Sequence, residues 1–427
     1  MKFNKWTLGL AAVGVVSLAS AARADETKMS QVQTALSNTT LSGYVDTAAQ
    51  WNLGSQNGGA TPGSVGLIGN AGNADGFTLN AVDVALDKPQ DESPWAAGYH
   101  VELMYGPSTV GGAAGTANAN IRQAYLALRT PVGNSAIDWK VGVWDTIIGY
   151  ESSSDGANPN YTRSYGYGME PTTHTGILGT YKINDMFTVQ AGIADGSQAG
   201  SGVLTAYAAQ SAAHGVTVPA AFGPAGVNGL NAQESQKAYM GAVAFTAPDS
   251  WGWAKGTTIN AGVINNDDSY GAVGATPATA AGTTDYYVGA TVPTPLTALK
   301  VGAAWDYLDI HDAHHTFAPI APNLVGFTPN SDTSVWNMGL YANYQANDKL
   351  SFNARGEHME VNGTSLRADE FTATVQYALW ANVLSRVEFR CDHLEHGAAF
   401  DNSSYSLSGT NIHNNAYMVA LNLIYQF

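Results

Sequence analysis

The chain ends in AYMVALNLIYQF, residues 416–427, and the side chains of this stretch alternate in character. Every second residue is apolar or aromatic: Tyr417, Val419, Leu421, Leu423, Tyr425 and Phe427. A period of two is typical of a β-strand with one apolar face. Because chain termini usually fray in water, a long half-apolar strand is an unusual last element for a soluble protein. The stretch therefore predicts a strand whose apolar face is covered by something other than water.

The other end of the chain predicts export. Lys2 and Lys5 precede an apolar run over residues 6–18, and Ala22-Arg23-Ala24 follows it. A basic start, a short apolar run and an A-x-A site are the parts of a secretory signal peptide. The run is shorter than the roughly 20 residues that cross a bilayer. An uncleaved membrane anchor is the alternative, but the small residues at the end of the run favour cleavage after Ala24.

Composition excludes several classes of protein. Charged residues make up 12% of the chain, which is about half the usual share in soluble domains. Removing residues 1–24 takes three of the 18 basic residues and leaves 15 against 34 acidic ones, a net charge of −19. Such a chain has no electrostatic reason to bind nucleic acid. Cys391 is the single cysteine, so no intramolecular disulfide can form.

The same composition favours a closed barrel in lipid. The chain has few charges but 47 glycines, 21 tyrosines and 10 tryptophans. Beyond the first 24 residues no apolar run approaches the length of a membrane helix. A closed barrel pairs all its backbone groups between strands, with an apolar outside and a polar inside. The domain organisation predicted on this basis is a signal peptide over residues 1–24, a periplasmic lead over 25–38 and an outer-membrane barrel over 39–427.

Alternating segments of about ten residues recur along the chain. EFTATVQYAL, residues 370–379, separates the apolar Phe371, Ala373 and Val375 from polar neighbours. This alternation predicts sixteen antiparallel strands of an up-and-down transmembrane barrel. They lie near residues 40–51, 77–87, 95–105, 120–129, 136–147, 175–182, 187–194, 237–246, 257–265, 285–292, 299–309, 334–344, 350–360, 367–378, 384–394 and 415–427.

The connectors between these segments give a separate test. After even-numbered strands they are short, as in TPVGN or INDM, and after odd-numbered strands they are mostly long. Short periplasmic turns and long extracellular loops alternate in this way in outer-membrane barrels. A soluble β-helix or sandwich is the alternative, but aromatics stand near the strand ends, where membrane barrels carry them at the interfaces. These aromatics are Trp51, Trp95, Tyr105, Trp139, Tyr377, Tyr417 and Phe427.

One region resembles a known family. It reads IGYE over residues 148–151, NPNYTRSY over 158–165 and HTG over 174–176. This pattern resembles the β-barrel porin family of OmpL-like outer-membrane proteins, strongly over residues 140–196 and more loosely, as strand-and-turn architecture, over most of the mature chain. The resemblance implies a channel-forming barrel and brings no catalytic residues with it.

The long connector over residues 148–174 is the first candidate site. It combines two prolines and four tyrosines with the charged Glu151, Arg163 and Glu170. Prolines and aromatics restrict the chain, so this connector can hold one conformation against a surface. One hypothesis is that it bends into the barrel and narrows the pore, because sixteen strands otherwise leave a wide aqueous channel. The other is that it forms a rigid cap on the outer rim.

The second candidate site is a patch of mixed charge on the polar faces of strands 13 to 15. Opposed charges across a pore set a transverse field that selects small polar solutes. We therefore predict a pore-lining role, while the alternative is that these residues pair with one another and stiffen the wall. The residues are Arg355, Glu357, Glu370, Arg386, Glu388, Arg390 and Asp392.

Motifs for metal binding and catalysis are weak. His311, His314 and His315 lie near Asp309 and Asp312 and could hold a transition metal. A loop tip does not fix the geometry that a metal needs, so no metal and no other cofactor is predicted. No G-x-S-x-G elbow, phosphate-binding loop, CxxC or HExxH occurs, so no catalytic residue is predicted and the protein is not expected to be an enzyme.

The function predicted from the sequence is passive diffusion of small hydrophilic solutes or ions across the bacterial outer membrane, with a mild cation preference from the acidic excess. The alternative is a barrel with a closed pore that acts through its outer loops as an adhesin or receptor. Expected partners are membrane lipid, lipopolysaccharide and the outer-membrane assembly machinery, and the sequence leaves monomer and homo-oligomer open. The predicted signal for that machinery is the final alternating set of Leu421, Leu423, Tyr425 and Phe427.

Overall fold

The fold was analysed in a computed structural model of the chain. The structure describes residues 39–53, 75–106, 119–133, 135–195, 237–266, 282–311, 333–362, 367–396, 400–401, 412–413 and 415–427. The predicted signal peptide and periplasmic lead lie outside these residues and remain predictions. In the described part of the chain, no helix is both long enough and apolar enough to cross a membrane.

Sixteen long antiparallel strands form one closed barrel, as the alternation predicts. Each predicted segment corresponds to one strand, with ends that differ by at most a few residues. The strands are β1 (Thr40–Leu53), β2 (Gly76–Lys88), β3 (Ala97–Tyr105), β4 (Ala119–Val132), β5 (Ser135–Asp145), β6 (Thr173–Lys182), β7 (Phe187–Ala194), β8 (Ala238–Thr246), β9 (Thr258–Asn266), β10 (Gly282–Pro293), β11 (Leu299–His311), β12 (Thr333–Gln345), β13 (Leu350–Val361), β14 (Arg367–Trp380), β15 (Val383–His396) and β18 (Asn415–Gln426). Two strands of two residues, β16 (Phe400–Asp401) and β17 (Ile412–His413), pair with each other within the β15–β18 connector.

The last strand closes the barrel against the first. The register of β1 and β18 runs from Tyr44 opposite Gln426 to Leu53 opposite Tyr417. Beyond the Tyr44–Gln426 pair, the Phe427 nitrogen donates to the Gly43 carbonyl at 3.0 Å and the Gly43 nitrogen donates to the Phe427 carbonyl at 3.1 Å. The terminal residue therefore takes part in the seam, and neither edge of the sheet is left open.

The two faces of each strand meet different surroundings. On β18 the side chains of Tyr417, Leu421, Leu423 and Tyr425 are exposed, whereas Met418, Ala420 and Ile424 are buried. Since the exposed set is apolar, lipid is the surrounding that it fits. Aromatic side chains also stand near both ends of the outer face, as the girdles of membrane barrels do. They include Trp51, Phe77, Trp95, Tyr105, Tyr239, Trp251, Trp253, Tyr344, Tyr377 and Trp380.

The connectors keep the predicted alternation of short and long. The turn between β14 and β15 consists of residues 381–382, and Asn382 has a φ of +67°.

One detail of the prediction is wrong: Trp95 does not begin β3 but lies in the preceding turn. Its φ is +63° and its side chain is 73% exposed. A backbone in that region cannot continue a strand, because strand φ values are negative.

Candidate functional site

The connector between β5 and β6, residues 146–172, folds into the barrel, and we call it the inner loop. Its two ends are joined by a hydrogen bond of 3.0 Å from the Thr146 nitrogen to the Thr172 carbonyl. Most of its side chains are buried, and Tyr161, Thr162 and Tyr165 are at most 1% exposed. It contains one short helix, α1 (Tyr165–Met169), and a 3-10 turn over Asp155–Ala157.

Local hydrogen bonds give the inner loop its shape. The Asn158 side chain accepts from the Ser152 nitrogen at 2.8 Å and donates to the Ser152 and Ser154 carbonyls at 2.7 and 2.9 Å. The Ser164 hydroxyl accepts from the Tyr167 nitrogen at 2.9 Å and so caps α1. Asparagine and serine make such bonds to nearby backbone readily, which explains why they recur in this segment.

The predicted charged patch lies on the inner face of β13, β14 and β15, beneath the inner loop. We call it the charged wall: Arg355, Glu357, Glu370, Arg386, Glu388, Arg390 and Asp392. None of these residues is more than 5% exposed. Their side chains pair with one another and with the backbone of the inner loop. A loop inside a protein needs partners for its backbone groups, and the charged wall supplies them.

The arginines of the wall donate to backbone carbonyls of the inner loop. Arg355 donates to the Thr162 carbonyl at 2.9 Å and to the Arg163 carbonyl at 3.1 Å. Arg390 donates to the same Arg163 carbonyl at 2.7 Å. Arg386 reaches the 3-10 turn and donates to the Asp155 carbonyl at 3.1 Å. Guanidinium groups suit this role because each carries five donors in a fixed plane.

The carboxylates of the wall accept from backbone nitrogens. Glu388 accepts from the nitrogens of Tyr161 and Thr162 at 2.5 and 2.8 Å. Glu357 accepts from the Tyr165 nitrogen at 2.8 Å, at the start of α1. Bonds with one charged partner are about twice as strong as neutral ones. The wall therefore fixes both the position and the direction of the inner loop.

The charged residues of the inner loop itself are also paired. Glu151 accepts from Arg355 Nη1 at 2.7 Å and from the Ser164 nitrogen at 2.8 Å. Arg163 donates to Asp155 Oδ1 at 2.7 Å. Burial, reinforced by the charge of Asp306, raises the pKa of the Glu170 carboxyl well above its ordinary value. The neutral form of the Glu170 carboxyl therefore persists to higher pH in the folded barrel than in the unfolded chain.

A second ionic cluster lies on the inner faces of β2 to β5, and the sequence reading did not identify it as a site. We call it the β2–β5 cluster: Asp87, His100, Glu102, Arg122, Tyr125, Lys140 and Asp145. His100 contacts Asp87 at 3.0 Å and Glu102 at 3.3 Å, and Arg122 contacts Asp145 at 2.6 Å as well as Glu102. Unlike the charged wall it is partly open, since the side chains of Asp87, Asp145 and His100 are 42%, 24% and 17% exposed.

A bulge explains why simple alternation misplaces part of this cluster. Glu102 lies opposite Gln123 and Leu103 lies opposite Ile121, so Arg122 is the extra residue on β4. Arg122 and Gln123 are consecutive, yet both are buried inside. A strict period of two puts only one of two neighbours on the inner face. The sequence does carry a signal for this cluster. In segments such as AGYHVELMY, residues 97–105, polar residues alternate with apolar ones and so belong to the inner face of the strand.

The inner face of β6 to β9 is uncharged. Its inward residues are small or neutral, and several remain partly exposed: Thr188, Gly192, Ala242 and Gly262. The nearest lysines stand at the strand ends: Lys182 is the last residue of β6, and Lys237 immediately precedes β8. The described lumen thus has a charged wall covered by the inner loop, a partly open ionic cluster and an open neutral face.

The histidine-rich segment is described only at its first residue. His311 ends β11 and lies 3.3 Å from the Thr284 hydroxyl, while His314 and His315 lie outside the described residues. Within the described ranges no group of three His, Cys, Asp or Glu side chains could hold a metal ion. The predicted assembly residues Leu421, Leu423, Tyr425 and Phe427 all lie on the closing strand or at its end.

A closed antiparallel barrel of sixteen strands, apolar outside and polar inside with a loop folded into its lumen, is the architecture of a porin, a channel of the bacterial outer membrane. The sequence agrees, because residues 38–427 match the family described as "Putative beta-barrel porin-2, OmpL-like". This chain belongs to that family. No curated protein matches the sequence.

Solved structures of outer-membrane proteins share the fold. The anion-selective porin from Comamonas acidovorans superposes with a TM-score of 0.56 at 11% identity, covering 91% of this chain and 99% of that one. OmpF of Salmonella typhi, in complex with daunomycin, gives 0.55 at 13% identity over 91% and 97%. The trimer form of OmpT from Vibrio cholerae gives 0.53 at 13% over 91% and 99%. At these identities the likeness is one of fold alone.

Proposed function

We propose that this protein lets small hydrophilic solutes and ions diffuse through the outer membrane, by a narrow passage beside the inner loop. Sixteen strands enclose a lumen wide enough for an aqueous channel, and the inner loop occupies one side of it. The observation that carries the proposal is the docking of the inner loop on the charged wall. The loop is held there by backbone and side-chain bonds from three strands, so the remaining space has a fixed outline.

The differences in burial support a particular route. The residues of the charged wall are at most 5% exposed, whereas the side chain of Asp87 is 42% exposed and the inner residues of β6 to β9 are partly exposed. A solute that enters the lumen therefore meets the β2–β5 cluster and the neutral face rather than the charged wall. On this proposal the wall residues predicted as pore-lining act mainly by holding the inner loop.

A mild cation preference is part of the proposal. In the β2–β5 cluster the most exposed charged side chain of the ion pairs is the Asp87 carboxylate, at 42%. The exported chain also carries a large acidic excess. A surface of negative sign raises the local concentration of cations, and salt screens the effect over about 10 Å at 0.1 M. The reversal potential across a salt gradient measures this preference directly.

The test of the constriction is deletion of residues 152–162, which removes the part of the inner loop held by Glu388 and Arg386. We expect clearly larger single-channel conductance in planar bilayers than for the unaltered protein. The matched control deletes eleven residues, 205–215, from another long connector and should leave conductance unchanged. Equal conductance of the unaltered protein and the 152–162 deletion contradicts the proposed constriction.

The alternative function is that of an adhesin or receptor that acts through its outer loops while the pore stays closed. The long connectors after β1, β7, β9 and β11 supply the outer loops that this function needs. The same bilayer recordings separate the two functions, because an adhesin with a closed pore gives no stepwise current.

With either function, we propose that the barrel lies in lipid and lipopolysaccharide and is inserted by the assembly machinery. The trimer form of the Vibrio cholerae protein supports a homo-oligomer, which cross-linking in membranes tests.

A further inference from the structure

The strands β2 to β6 carry a row of residues directly opposite one another across the inner face. Asp87 pairs with His100, His100 with Tyr125, Tyr125 with Gly142 and Gly142 with Gly176. Neighbouring strands are about 4.8 Å apart, so adjacent members of the row are in reach of each other. The row thus consists of an acidic residue, two aromatic rings and two glycines, in that order.

The ring of Tyr125 is the centre of this row. His100 stacks on it with ring centroids 5.3 Å apart and an angle of 21°, and Lys140 Nζ lies 4.7 Å from its centroid. Beside it, Gly142 has a φ of +133°, and a Cβ there would lie 2.2 Å from the Ala124 carbonyl. A Cβ on Gly176 would lie 2.2 Å from the Ile193 carbonyl. The backbone therefore requires glycine at both positions, and this keeps side chains away from one edge of the ring.

The charged groups around the ring differ in how many partners of opposite charge they have. Arg122 is held by Glu102 and Asp145, and His100 is held by Asp87 and Glu102. Within the described residues Lys140 forms no salt bridge, and its ammonium group lies over the Tyr125 ring. At the other end of the row Asp87 is 42% exposed and bonds His100 through one oxygen only. An ammonium group and an exposed carboxylate thus stand on either side of an aromatic surface.

We propose that this row is a solute-binding subsite for small zwitterions of the amino acid or dipeptide class. The solute carboxylate would bind Lys140, its ammonium group would bind Asp87, and its carbon chain would lie against Tyr125. A free anion is disfavoured next to Asp87, and a free cation is disfavoured next to Lys140. A zwitterion meets both charges with the opposite sign. This subsite rests on the proposed channel function in one respect only, namely that the solute reaches it through the channel.

The test measures equilibrium binding to the folded barrel in detergent, by NMR saturation transfer, so that it does not depend on conduction. The probe is glycylglycine, and two relatives with one charge each serve as comparisons: N-acetylglycine and glycinamide. We expect glycylglycine to bind about tenfold more tightly than either relative, because each charged bond contributes about a factor of ten. Equal binding of N-acetylglycine would identify a simple anion site and overturn the proposal.

Variants locate the site. Lys140→Met keeps an unbranched apolar side chain but removes the ammonium group, and it should weaken glycylglycine binding about tenfold. Tyr125→Leu should weaken it as well. Lys300→Met is the matched control, because Lys300 is an exposed lysine of β11 outside the row. Retained binding in Lys140→Met, or equal loss in Lys300→Met, overturns the proposal. Folding of every variant is checked by its heat-dependent shift in gel mobility.

Conduction is scored separately in the same preparations. If salt current is absent but glycylglycine binds as expected, the channel function fails while the subsite stands. If salt current is present and glycylglycine neither binds nor blocks it, the subsite fails while the channel function stands.

Discussion

Arg355 of β13 and Glu151 of the inner loop are 204 residues apart in the sequence, and Arg355 Nη1 donates to Glu151 Oε1 at 2.7 Å. Both side chains are almost completely buried, at 0% and 2% exposure. The pair joins the wall of the barrel to the segment that fills its lumen. The same guanidinium group donates to the Thr162 and Arg163 carbonyls, so Arg355 holds the inner loop by one side chain and two backbone groups.

Replacement of Arg355 by methionine should therefore release the inner loop. The change leaves the Glu151 carboxylate buried without its cation and leaves Glu370 only the more distant Arg390. Breaking a buried pair costs about 3–5 kcal/mol. We expect a lower free energy of unfolding in denaturant and new trypsin cleavage after Arg163 in the folded barrel. The control is Arg367→Met, which breaks an exposed pair with Glu360 and should cost at most about 1 kcal/mol. Protection of Arg163 in Arg355→Met would show that the wall does not hold the loop.

The sequence alone could not reveal this arrangement. Alternation predicts which residues of β13 to β15 face inward, because the period is local to each strand. Whether the inner loop turns inward depends on partners such as Glu388, which lies more than 200 residues from Thr162. Bonds of that range follow from the closed register of the whole barrel. The β2–β5 cluster escaped recognition for a similar reason, because Asp87, His100, Arg122 and Asp145 come from four strands and one of them sits on a bulge.

The stability of the barrel should depend on pH through Glu170. Its pKa in the folded barrel lies well above its ordinary value, so above about pH 4.3 the unfolded chain loses a proton that the folded one keeps. The unfolding free energy then falls by about 1.4 kcal/mol per pH unit until the folded pKa is reached. Glu170→Gln should remove this part of the slope. Unfolding midpoints between pH 5 and 9 measure it, with the exposed Glu92→Gln as control. An unchanged slope in Glu170→Gln contradicts the assignment.

Ion preference should follow the open ionic cluster rather than the covered wall. Asp87→Asn removes a carboxylate that is 42% exposed, and we expect the cation-to-anion permeability ratio to fall by about a factor of two. Asp249→Asn removes a fully exposed carboxylate from the turn between β8 and β9 and should leave the ratio unchanged. Reversal potentials in a salt gradient give both ratios. Equal ratios for Asp87→Asn and the unaltered protein would place the selectivity elsewhere.

Removal of Phe427 should impair assembly much more than synthesis. The residue makes two backbone hydrogen bonds with Gly43 at the seam, of 3.0 and 3.1 Å. Its ring also lies close to Gly43, where an added Cβ would come within 2.8 Å of it. Loss of Phe427 therefore leaves the edge of β1 unpaired at this point, and it also removes the aromatic end of the predicted assembly signal.

The measurement compares total protein with the fraction that shows a heat-dependent shift in gel mobility in outer membranes. We expect that fraction to fall severalfold without Phe427, since two seam hydrogen bonds at about 1 kcal/mol each are lost. Phe427→Tyr keeps the ring and the backbone and should assemble normally. Refolding of the purified variant into detergent separates the two causes, because it needs no assembly machinery. Normal refolding with poor assembly in cells assigns the defect to recognition, whereas poor refolding assigns it to the seam. Full assembly in cells without Phe427 would refute both roles.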